Sequence, residues 1–373
     1  MSENDYMNNA AAVVKSCKPF HDFNDGAPPP MPSTIRDVAR AAGVSVATVS
    51  RAMNGADNVL PQTKLRVLDA ARSLRFTPSG AARSLITRRT DTIGALLPDL
   101  HGEYFSELIR GIDQAARASG LHLLVSSSHG NADEAAAALR AMNGRVDGLL
   151  MMSPHVDADF LAHNLPGNLP AVLVNTGTDL TGQVRFVVDN FGGAKAMTRH
   201  LAAAGRKRIA FIGGPPGNDE AQERLRGYRA GLQAGTREVL LEGDFTEESG
   251  RSAGQRIAQM KPRPHAVFAA HDMMAIGCLA ALGEAGLQVP DDIALGGFDD
   301  IPIARYVTPA LTTIRVPISA LGAAALEALV KTVKQPETRT PYMTVLPVEL
   351  VVRRSCGAAA SVRPVPPSRA PVH

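Results

Sequence analysis

Hydrophobic and polar positions divide the chain into regions of different texture. Residues 34–76 place apolar side chains at helical spacing in three short segments. After residue 91, short runs rich in valine, isoleucine and leucine alternate with alanine-rich segments of helical periodicity. Before residue 33 no periodicity is visible, and prolines occupy positions 28–30. The pattern predicts a small helical domain followed by a large α/β body.

The helical region carries clear start and stop signals. Thr34 has the spacing of a capping box with an acidic residue three positions later, and Gly43 is placed to end the first helix. Ser45 can cap a second helix that runs to Met53, and Pro61 can open a third. The positions expected to face the core are Val38, Ala39, Ala42, Val49, Ala52, Met53, Leu65, Leu68, Ala71 and Leu74.

The body reads as doubly wound, with parallel strands alternating with helices. Its length exceeds what one sheet needs, so we expect two similar lobes with a crossover at Phe186–Asn190 and a ligand cleft between them. The expected strands are Ile93–Leu97, Leu121–Ser126, Gly148–Met152, Ala171–Asn175, Arg208–Ile212, Ala266–Ala270 and Ile293–Gly297.

These patterns predict the following domain boundaries. Residues 1–32 form a disordered extension, 33–78 a helix-turn-helix domain, 79–90 a hinge helix and linker, 91–356 an effector-binding and dimerisation domain, and 357–373 a disordered tail. Within the body, lobe 1 takes about 91–187 and 318–338, and lobe 2 takes about 188–317 and 339–356.

Charge is distributed unevenly along the 373 residues. The net charge of +3 combines +7 in residues 34–90, from ten basic and three acidic residues, with −4 elsewhere. Such a basic module can bind a polyanion, although a solvated helix face gives the same count. Three scattered cysteines, no secretory signal and no long apolar run predict a cytoplasmic protein that does not contact a membrane.

The second helix has the properties of a DNA-recognition helix, with a generic three-helix bundle as the alternative. Ala47, Arg51 and Asn54 share one face, and the fork of the arginine can donate to both O6 and N7 of a guanine. Small apolar residues can contact a thymine methyl group, and the hydroxyls and amides can bind phosphates. The predicted DNA contacts in this domain are Thr34, Ser45, Val46, Ala47, Thr48, Ser50, Arg51, Asn54 and Thr63.

Residues 79–85 are too short and glycine-containing to form a stable isolated helix. We expect them to fold only on contact, and Leu85 is suited to be a wedge between base steps in the minor groove, with Ala82 and Arg83 beside it. From these residues alone, a plain interdomain linker is the favoured interpretation.

Motifs spread over about residues 34–355 resemble the lactose/galactose repressor family. The resemblance rests on residues 34–39, 43–51 and 82–85, and in the body on 189–193, Arg224 before Gly227-Tyr228, Asp272 before 275–277, 297–300 and 311–314. It implies a body like periplasmic sugar-binding proteins, a homodimer, and hinge helices that move when an effector binds in the cleft.

The resemblance also implies the effector contacts. Arg224 and Asp299 would hold a polar ligand across the two lobes, while Phe245 and either Tyr104 or Phe105 would stack on it. His271 stands where the family usually has asparagine, and Leu60 where a phosphate-binding serine is common. The full implied set is Tyr104, Phe105, Asn175, Asp189, Arg224, Phe245, His271, Asp272 and Asp299, of which Asn175 and Asp189 are equally suited to capping a helix.

We therefore expect a repressor that binds a double-stranded palindromic operator as a homodimer and responds to a small-molecule effector, a sugar or sugar derivative. The alternatives are a nucleobase-type corepressor, a sugar-binding protein without a direct regulatory role, and an architectural DNA binder. The glycine-rich residues 212–217 lack a nucleotide fingerprint and are interpreted as a turn. No nucleophile–base grouping or metal spacing stands out, so neither an enzyme nor a cofactor is expected.

Overall fold

The computed structural model describes residues 33–53, 59–76, 89–152, 157–167, 169–176, 182–335, 337 and 340–368. The chain forms two compact units that divide after residue 87. The predictions for the extension before residue 33, for Asn54 and for Ala82, Arg83 and Leu85 of the hinge lie outside the described residues. No described helix is long and apolar enough to cross a membrane.

The first unit contains the three predicted helices: α1 (Ile35–Ala42), α2 (Val46–Met53) and α3 (Pro61–Ser73). Thr34 and Asp37 form the expected capping box, and Gly43 ends α1 with a φ of 64°, a conformation that glycine adopts without strain. Val38, Val49 and Val67 meet in the core of this unit. The helix-turn-helix prediction is therefore confirmed.

The buried face of α3 differs from the prediction at Leu65. Its side chain is 62% exposed, whereas Val67 is fully buried and Ala71 lies beside it in the core. Residues two positions apart project from opposite sides of a helix, so the face that contains Val67 and Ala71 necessarily leaves Leu65 outside.

Lobe 1 is built on a parallel sheet with the order β11-β5-β4-β3-β1-β2. Helices α4 and α11 cover one face of the sheet, and α5 and α6 cover the other. Strand residues therefore alternate between two apolar clusters, with Ala95 and Leu97 in one and Leu96 in the other. The elements are β1 (Thr92–Leu97), α4 (Glu103–Ala118), β2 (His122–Ser127), α5 (Ala132–Met142), β3 (Gly148–Met151), α6 (Ala158–Asn164), β4 (Ala171–Val174), β5 (Val184–Val188), α11 (Ile318–Lys334) and β11 (Met343–Leu346).

Lobe 2 is built on a second sheet with the order β13-β12-β10-β9-β8-β6-β7. Its strands are parallel except β12, which is antiparallel to both β10 and β13. Helix α7 packs on α8, and α9 packs on α10. The elements are α7 (Asn190–Ala203), β6 (Ile209–Ile212), α8 (Asp219–Gly231), β7 (Val239–Leu241), α9 (Glu247–Gln259), β8 (Ala266–Ala269), α10 (Asp272–Glu284), β9 (Ala294–Asp299), a 3₁₀ turn (Pro302–Arg305), β10 (Thr312–Arg315), β12 (Glu349–Val352), a 3₁₀ turn (Arg354–Cys356) and β13 (Ser361–Pro364).

The chain crosses between the lobes more often than the simple alternation of elements indicates. It passes from β5 to α7, from β10 to α11, and from β11 to β12. Residues 343–346 pair with β5 of lobe 1, so the expectation that all of 339–356 belongs to lobe 2 is wrong. Phe186–Val188, expected in the crossover, form the end of β5.

The tail also departs from the prediction of disorder after residue 357. Ser361–Pro364 pair with β12, and Val365 is buried and donates its backbone N–H to the carbonyl oxygen of Val348. Pairing with β12 supplies the tail with main-chain hydrogen bonds, which its alanine- and proline-rich composition does not reveal.

Candidate functional site

The candidate site lies where the strands of both sheets end. In lobe 1, Tyr104 lies near the start of α4, which follows β1, and Asn175 directly follows β4. In lobe 2, His271 follows β8 and Asp299 is the last residue of β9. The carboxyl ends of parallel strands in a doubly wound sheet are the usual place for a ligand. The topology therefore gathers the predicted residues of each lobe at its ligand-binding edge.

Arg224 is the most heavily bonded side chain at this site. Its two terminal nitrogens donate to the two oxygens of Asp299, at 3.0 and 3.1 Å, and Nη1 also donates to the carbonyl oxygen of Ala270 at 2.6 Å. Nε donates to Oδ1 of Asn190 at 2.8 Å, and the guanidinium stacks 3.9 Å above the Phe298 ring. Arg224 and Asp299 are both buried, and each lies in lobe 2.

Arg224 and Asp299 were expected to hold a ligand across the two lobes. The structure pairs them with each other inside lobe 2, and their contact with a ligand stays a prediction. A buried carboxylate needs a nearby positive charge, and the guanidinium supplies it without any ligand.

Several site residues adopt backbone conformations that are rare outside glycine. Asp299 has a φ of 106°, Phe245 of 75° and Asn175 of 49°. The loop at Gly214 gives Phe245 its room, because a Cβ there would lie 2.4 Å from the ring. Residues 212–217 thus form the predicted turn, and the Phe245 ring packs against this turn at Gly214. Such strained positions cluster at binding sites when the surrounding structure holds them.

His271 caps α10 and faces the ion pair. Its Nδ1 accepts from the backbone N–H of Met273 at 3.1 Å, so Nε2 carries the proton in the neutral ring and lies 3.4 Å from Asp299. Burial lowers the pKa of His271, and the neighbouring Asp299 only partly opposes that effect. The ring of Phe245 lies 5.6 Å away. We therefore expect a neutral His271 at pH 7.

The lobe 1 residues at the site are uncharged. The side-chain amide of Asn175 donates to the hydroxyl of Tyr104 at 3.0 Å, and Phe105 packs edge-on against the Tyr104 ring. Burial raises the pKa of Tyr104 well above its ordinary value, and among nearby charges Glu220 raises it most. Tyr104 of lobe 1 therefore lies close to the charged residues of lobe 2.

Two predicted ligand contacts are occupied elsewhere. Asp272 accepts from the hydroxyl of Thr313 at 2.6 Å and from the backbone N–H of Ile301 at 3.0 Å, inside lobe 2. Burial raises the pKa of this carboxyl. Asp189 caps α7 and also accepts from the backbone and the hydroxyl of Ser368. The structure thus gives both carboxyls partners within the protein, and their contact with an effector stays a prediction.

Glu220 is a site residue that the sequence reading missed. It lies in the first turn of α8, is buried, and places Oε1 at 3.6 Å from Nη2 of Arg224. Burial raises its pKa to about 7, although Arg224 acts in the opposite direction. Its spacing of four residues from Arg224 on one helix face was the available signal.

Three buried polar atoms at the site have no hydrogen-bond partner among the residues that the structure describes: Oε1 of Glu220, Oδ1 of Asn175 and Oγ1 of Thr176. Buried polar atoms in native proteins are nearly always paired, with protein groups, water or a ligand. Glu220 belongs to lobe 2, and Asn175 and Thr176 belong to lobe 1. Both lobes thus contain buried hydrogen-bond acceptors to which a ligand could donate.

The candidate DNA-reading surface lies on α2. Val46, Ala47 and Arg51 are exposed while Val49 is buried, as a recognition helix requires. Ser45 accepts from the backbone N–H of Thr48 at 3.1 Å, which fixes the start of the helix. The other predicted contacts in the described range, Thr34, Ser50 and Thr63, are exposed or half-buried.

Comparison with known proteins identifies both parts of the chain. Residues 34–79 match the model of bacterial regulatory proteins of the lacI family, and residues 198–356 match a periplasmic binding protein-like domain. The HTH-type transcriptional repressor PurR of Edwardsiella ictaluri is 38% identical over 331 residues, which is 87% of this chain and 96% of the relative.

Solved structures agree with this assignment. The lac repressor dimer bound to operator and the anti-inducer ONPF superposes with a TM-score of 0.78 at 28% identity, covering 88% of this chain and 100% of that one. The transcriptional regulator CelR in complex with cellobiose gives a TM-score of 0.66 at 31% identity, covering 87% and 99%. The chain belongs to the lacI family of bacterial regulatory proteins and is a DNA-binding transcriptional repressor with a domain for a small-molecule effector.

Proposed function

We propose that this repressor binds a palindromic operator as a homodimer and is controlled by a small polar ring compound bound between the two lobes. The observation that carries the effector site is the set of unpaired buried acceptors beside the Arg224–Asp299 pair. The exposed face of α2 supports the DNA contact, with Arg51 as its long donor.

For the effector, we propose a nucleobase-type heterocycle as the first candidate. The chain is 38% identical to a PurR repressor and 31% identical to CelR, the regulator solved with cellobiose. The assignment of a sugar therefore rests on the relative with the lower identity. A planar ring can stack on Phe245, and its N–H groups can pair with carboxyl and amide oxygens. The cellobiose complex keeps a sugar as the second candidate.

DNA recognition is tested by selecting binding sites from random duplex DNA with the full chain. We expect a palindrome, and Arg51→Ala should lose about 1–3 kcal/mol of discrimination at one base pair in each half-site. Arg40→Ala is the matched control, since Arg40 is exposed but pairs with Asp37 on α1. The base-reading role fails if Arg51→Ala keeps the parental preference.

Control by an effector is tested by thermal shift with nucleobases and sugars, followed by binding to the selected palindrome with and without each compound that stabilises the protein. A compound that binds the body and changes DNA affinity supports the proposal. If every stabilising compound leaves DNA affinity unchanged, control by this site is contradicted. The wedge role of Leu85 stays a prediction, for which Leu85→Ala should weaken binding to the palindrome more than binding to random DNA.

A further inference from the structure

The guanidinium of Arg224 has little hydrogen-bonding capacity left for a ligand. Four of its five N–H groups are engaged by Asp299, Asn190 and the carbonyl of Ala270. The remaining N–H belongs to Nη2, from which Oε1 of Glu220 lies 3.6 Å away. An anionic ligand group that paired with Arg224 through two hydrogen bonds would have to displace Asp299, which would leave that buried carboxylate without its counter-ion.

The unpaired atoms at the site are oxygens that accept hydrogen bonds. Oδ1 of Asn175 is always an acceptor, and Oε1 of Glu220 is an acceptor when the glutamate is ionised. Oγ1 of Thr176 can both accept and donate. A buried acceptor without a donor is costly, so a ligand that supplies donors gains free energy that the empty site lacks. The site therefore lacks donors rather than acceptors.

The acceptors belong to both lobes. In lobe 1, the amide of Asn175 donates to the Tyr104 hydroxyl, and Thr176 is the next residue in the chain. In lobe 2, Glu220 lies beside Arg224, with Oε1 at 3.6 Å from Nη2. A ring compound between the lobes can therefore meet acceptors on both sides.

The net charge of the site also favours a ligand that donates hydrogen bonds and carries no negative charge. Arg224 and Asp299 neutralise each other as a bidentate pair, so an ionised Glu220 leaves one negative charge. That charge repels an anion and attracts the positive end of an N–H or O–H bond. Phosphorylated or carboxylated compounds are disfavoured on this ground as well.

We propose that Glu220 determines effector specificity, and that the effector is a ring compound without negative charge that donates N–H or O–H groups to Glu220 and to the Asn175–Thr176 pair. The inference rests on the proposed effector function of this cleft and deepens it. Amino and ring N–H groups of a nucleobase and hydroxyls of a sugar supply the same donor chemistry, so the experiment must separate these sources.

The first experiment compares matched pairs by calorimetry on the full chain: uracil with orotate, glucose with glucose 6-phosphate, and ribose with ribose 5-phosphate, together with adenine, guanine, hypoxanthine and cellobiose. We expect at least one uncharged compound to bind, and each anionic partner to bind more weakly than its uncharged counterpart. Binding confined to the bases or to the sugars identifies the source of the donors.

The second experiment takes the best uncharged compound to Glu220→Gln. The affinity should fall about tenfold or more, because a hydrogen bond to a charged acceptor is replaced by one to a neutral amide. In the parent, affinity should rise with pH through about 7 as Glu220 ionises, and this rise should disappear in the variant. Glu223→Gln is the control, on the same helix but half-exposed and paired with Arg226.

Three outcomes would overturn the inference: an anionic compound that binds more tightly than its uncharged partner, no binding of any uncharged compound at millimolar concentration, or equal losses in Glu220→Gln and Glu223→Gln. Failure of the proposed function looks different. There, no palindrome is selected from random DNA, or a bound compound leaves DNA affinity unchanged.

Discussion

The two walls of the interlobe site are built on different principles. The lobe 2 wall contains Arg224, Asp299 and His271, whose charged or titratable groups bond to one another inside that lobe. The lobe 1 wall contains Tyr104 and Asn175, which carry no charge and leave an acceptor unpaired. Buried charges must be compensated within the fold, because leaving them unpaired costs much free energy. An unpaired neutral group costs less free energy, so it can remain unpaired until a ligand binds.

This difference indicates how the two walls contribute to control. The Arg224–Asp299 pair of the lobe 2 wall is complete without a ligand, so it is preorganised and its loss should affect folding. In that wall, Oε1 of Glu220 still lacks a hydrogen-bond partner. The lobe 1 wall gains its missing bonds only when a ligand is present. A ligand that bonds to both walls therefore favours the conformation in which they are close, and its differential affinity shifts that equilibrium.

Arg224→Ala should have the largest effect among the variants that test this difference between the two walls. Removing one partner of a buried ion pair leaves Asp299 uncompensated beside Glu220, and we expect the free energy of unfolding to fall by about 3–5 kcal/mol. Urea unfolding measures this loss.

Arg226→Ala is the control for that experiment. Arg226 lies on the same helix, is exposed and pairs with Glu223, so its replacement should cost about 1 kcal/mol or less. Equal losses in the two variants would mean that the Arg224–Asp299 pair does not stabilise lobe 2.

Glu220 tests the same wall through pH. Because its pKa is about 7 in the fold and 4.5 ordinarily, the folded chain binds more protons between these values. Its contribution to stability is therefore present below about pH 4.5 and is lost as pH rises through about 7. Glu220→Gln should be more stabilising at pH 8 than at pH 5, by on the order of 2 kcal/mol.

Unfolding at the two pH values checks this result, with Glu223→Gln as the control. Burial also raises the pKa of Glu223, but that side chain is exposed on one side, so we expect a smaller change in the same direction. A pH-independent effect of Glu220→Gln would show that the carboxyl is not buried as the structure places it.

Asn175→Gly tests the lobe 1 wall. Glycine relieves the positive φ of this residue, which offsets the lost bond to Tyr104, so stability should change by about 1 kcal/mol or less. Effector affinity should fall about tenfold, because an acceptor is removed. Calorimetry with the compound found above measures it.

His129→Gly is the matched control for Asn175→Gly. His129 also has a positive φ, of 47°, but it lies in an exposed loop of lobe 1. Its replacement should leave effector affinity unchanged. If Asn175→Gly binds as tightly as this control, Asn175 does not contact the effector.

The smallest expected effect concerns the tail. Ser368→Ala removes the hydroxyl that donates to Asp189 but keeps the backbone bond, so stability should fall by about 0.5–1.5 kcal/mol. Ser361→Ala, in β13, is the control, since its hydroxyl only accepts from exposed Arg363. Equal unfolding curves for the two variants would remove the proposed anchoring of the tail at Asp189.

Periodicity alone predicted much of this fold, and the exceptions have physical causes. Helices α1 to α3 and strands such as β1 and β8 follow from apolar spacing and end signals, which are local properties. The exposure of Leu65 and the pairing of β13 depend on which partners lie nearby in three dimensions. Local sequence does not specify such partners.

The same distinction applies to the site. Arg224 and Asp299 were named from a resemblance to a family, but their mutual pairing within lobe 2 required the fold. Asp272 was also named from that resemblance, and the structure shows its carboxyl accepting from the hydroxyl of Thr313. Glu220 was missed because a glutamate in the first turn of a helix is ordinarily a favourable surface residue.

The repeated crossing between lobes has a consequence during synthesis. The helical unit is complete once residue 76 has emerged, but lobe 1 waits for α11 and for β11, which ends at Leu346. At ~5–20 residues per second the ribosome needs on the order of tens of seconds for that interval. Throughout it, a nascent chain holds the finished DNA-reading unit and two unfinished sheets with open apolar edges. The interval before Leu346 emerges is therefore the period in which this chain exposes the surfaces most prone to aggregation.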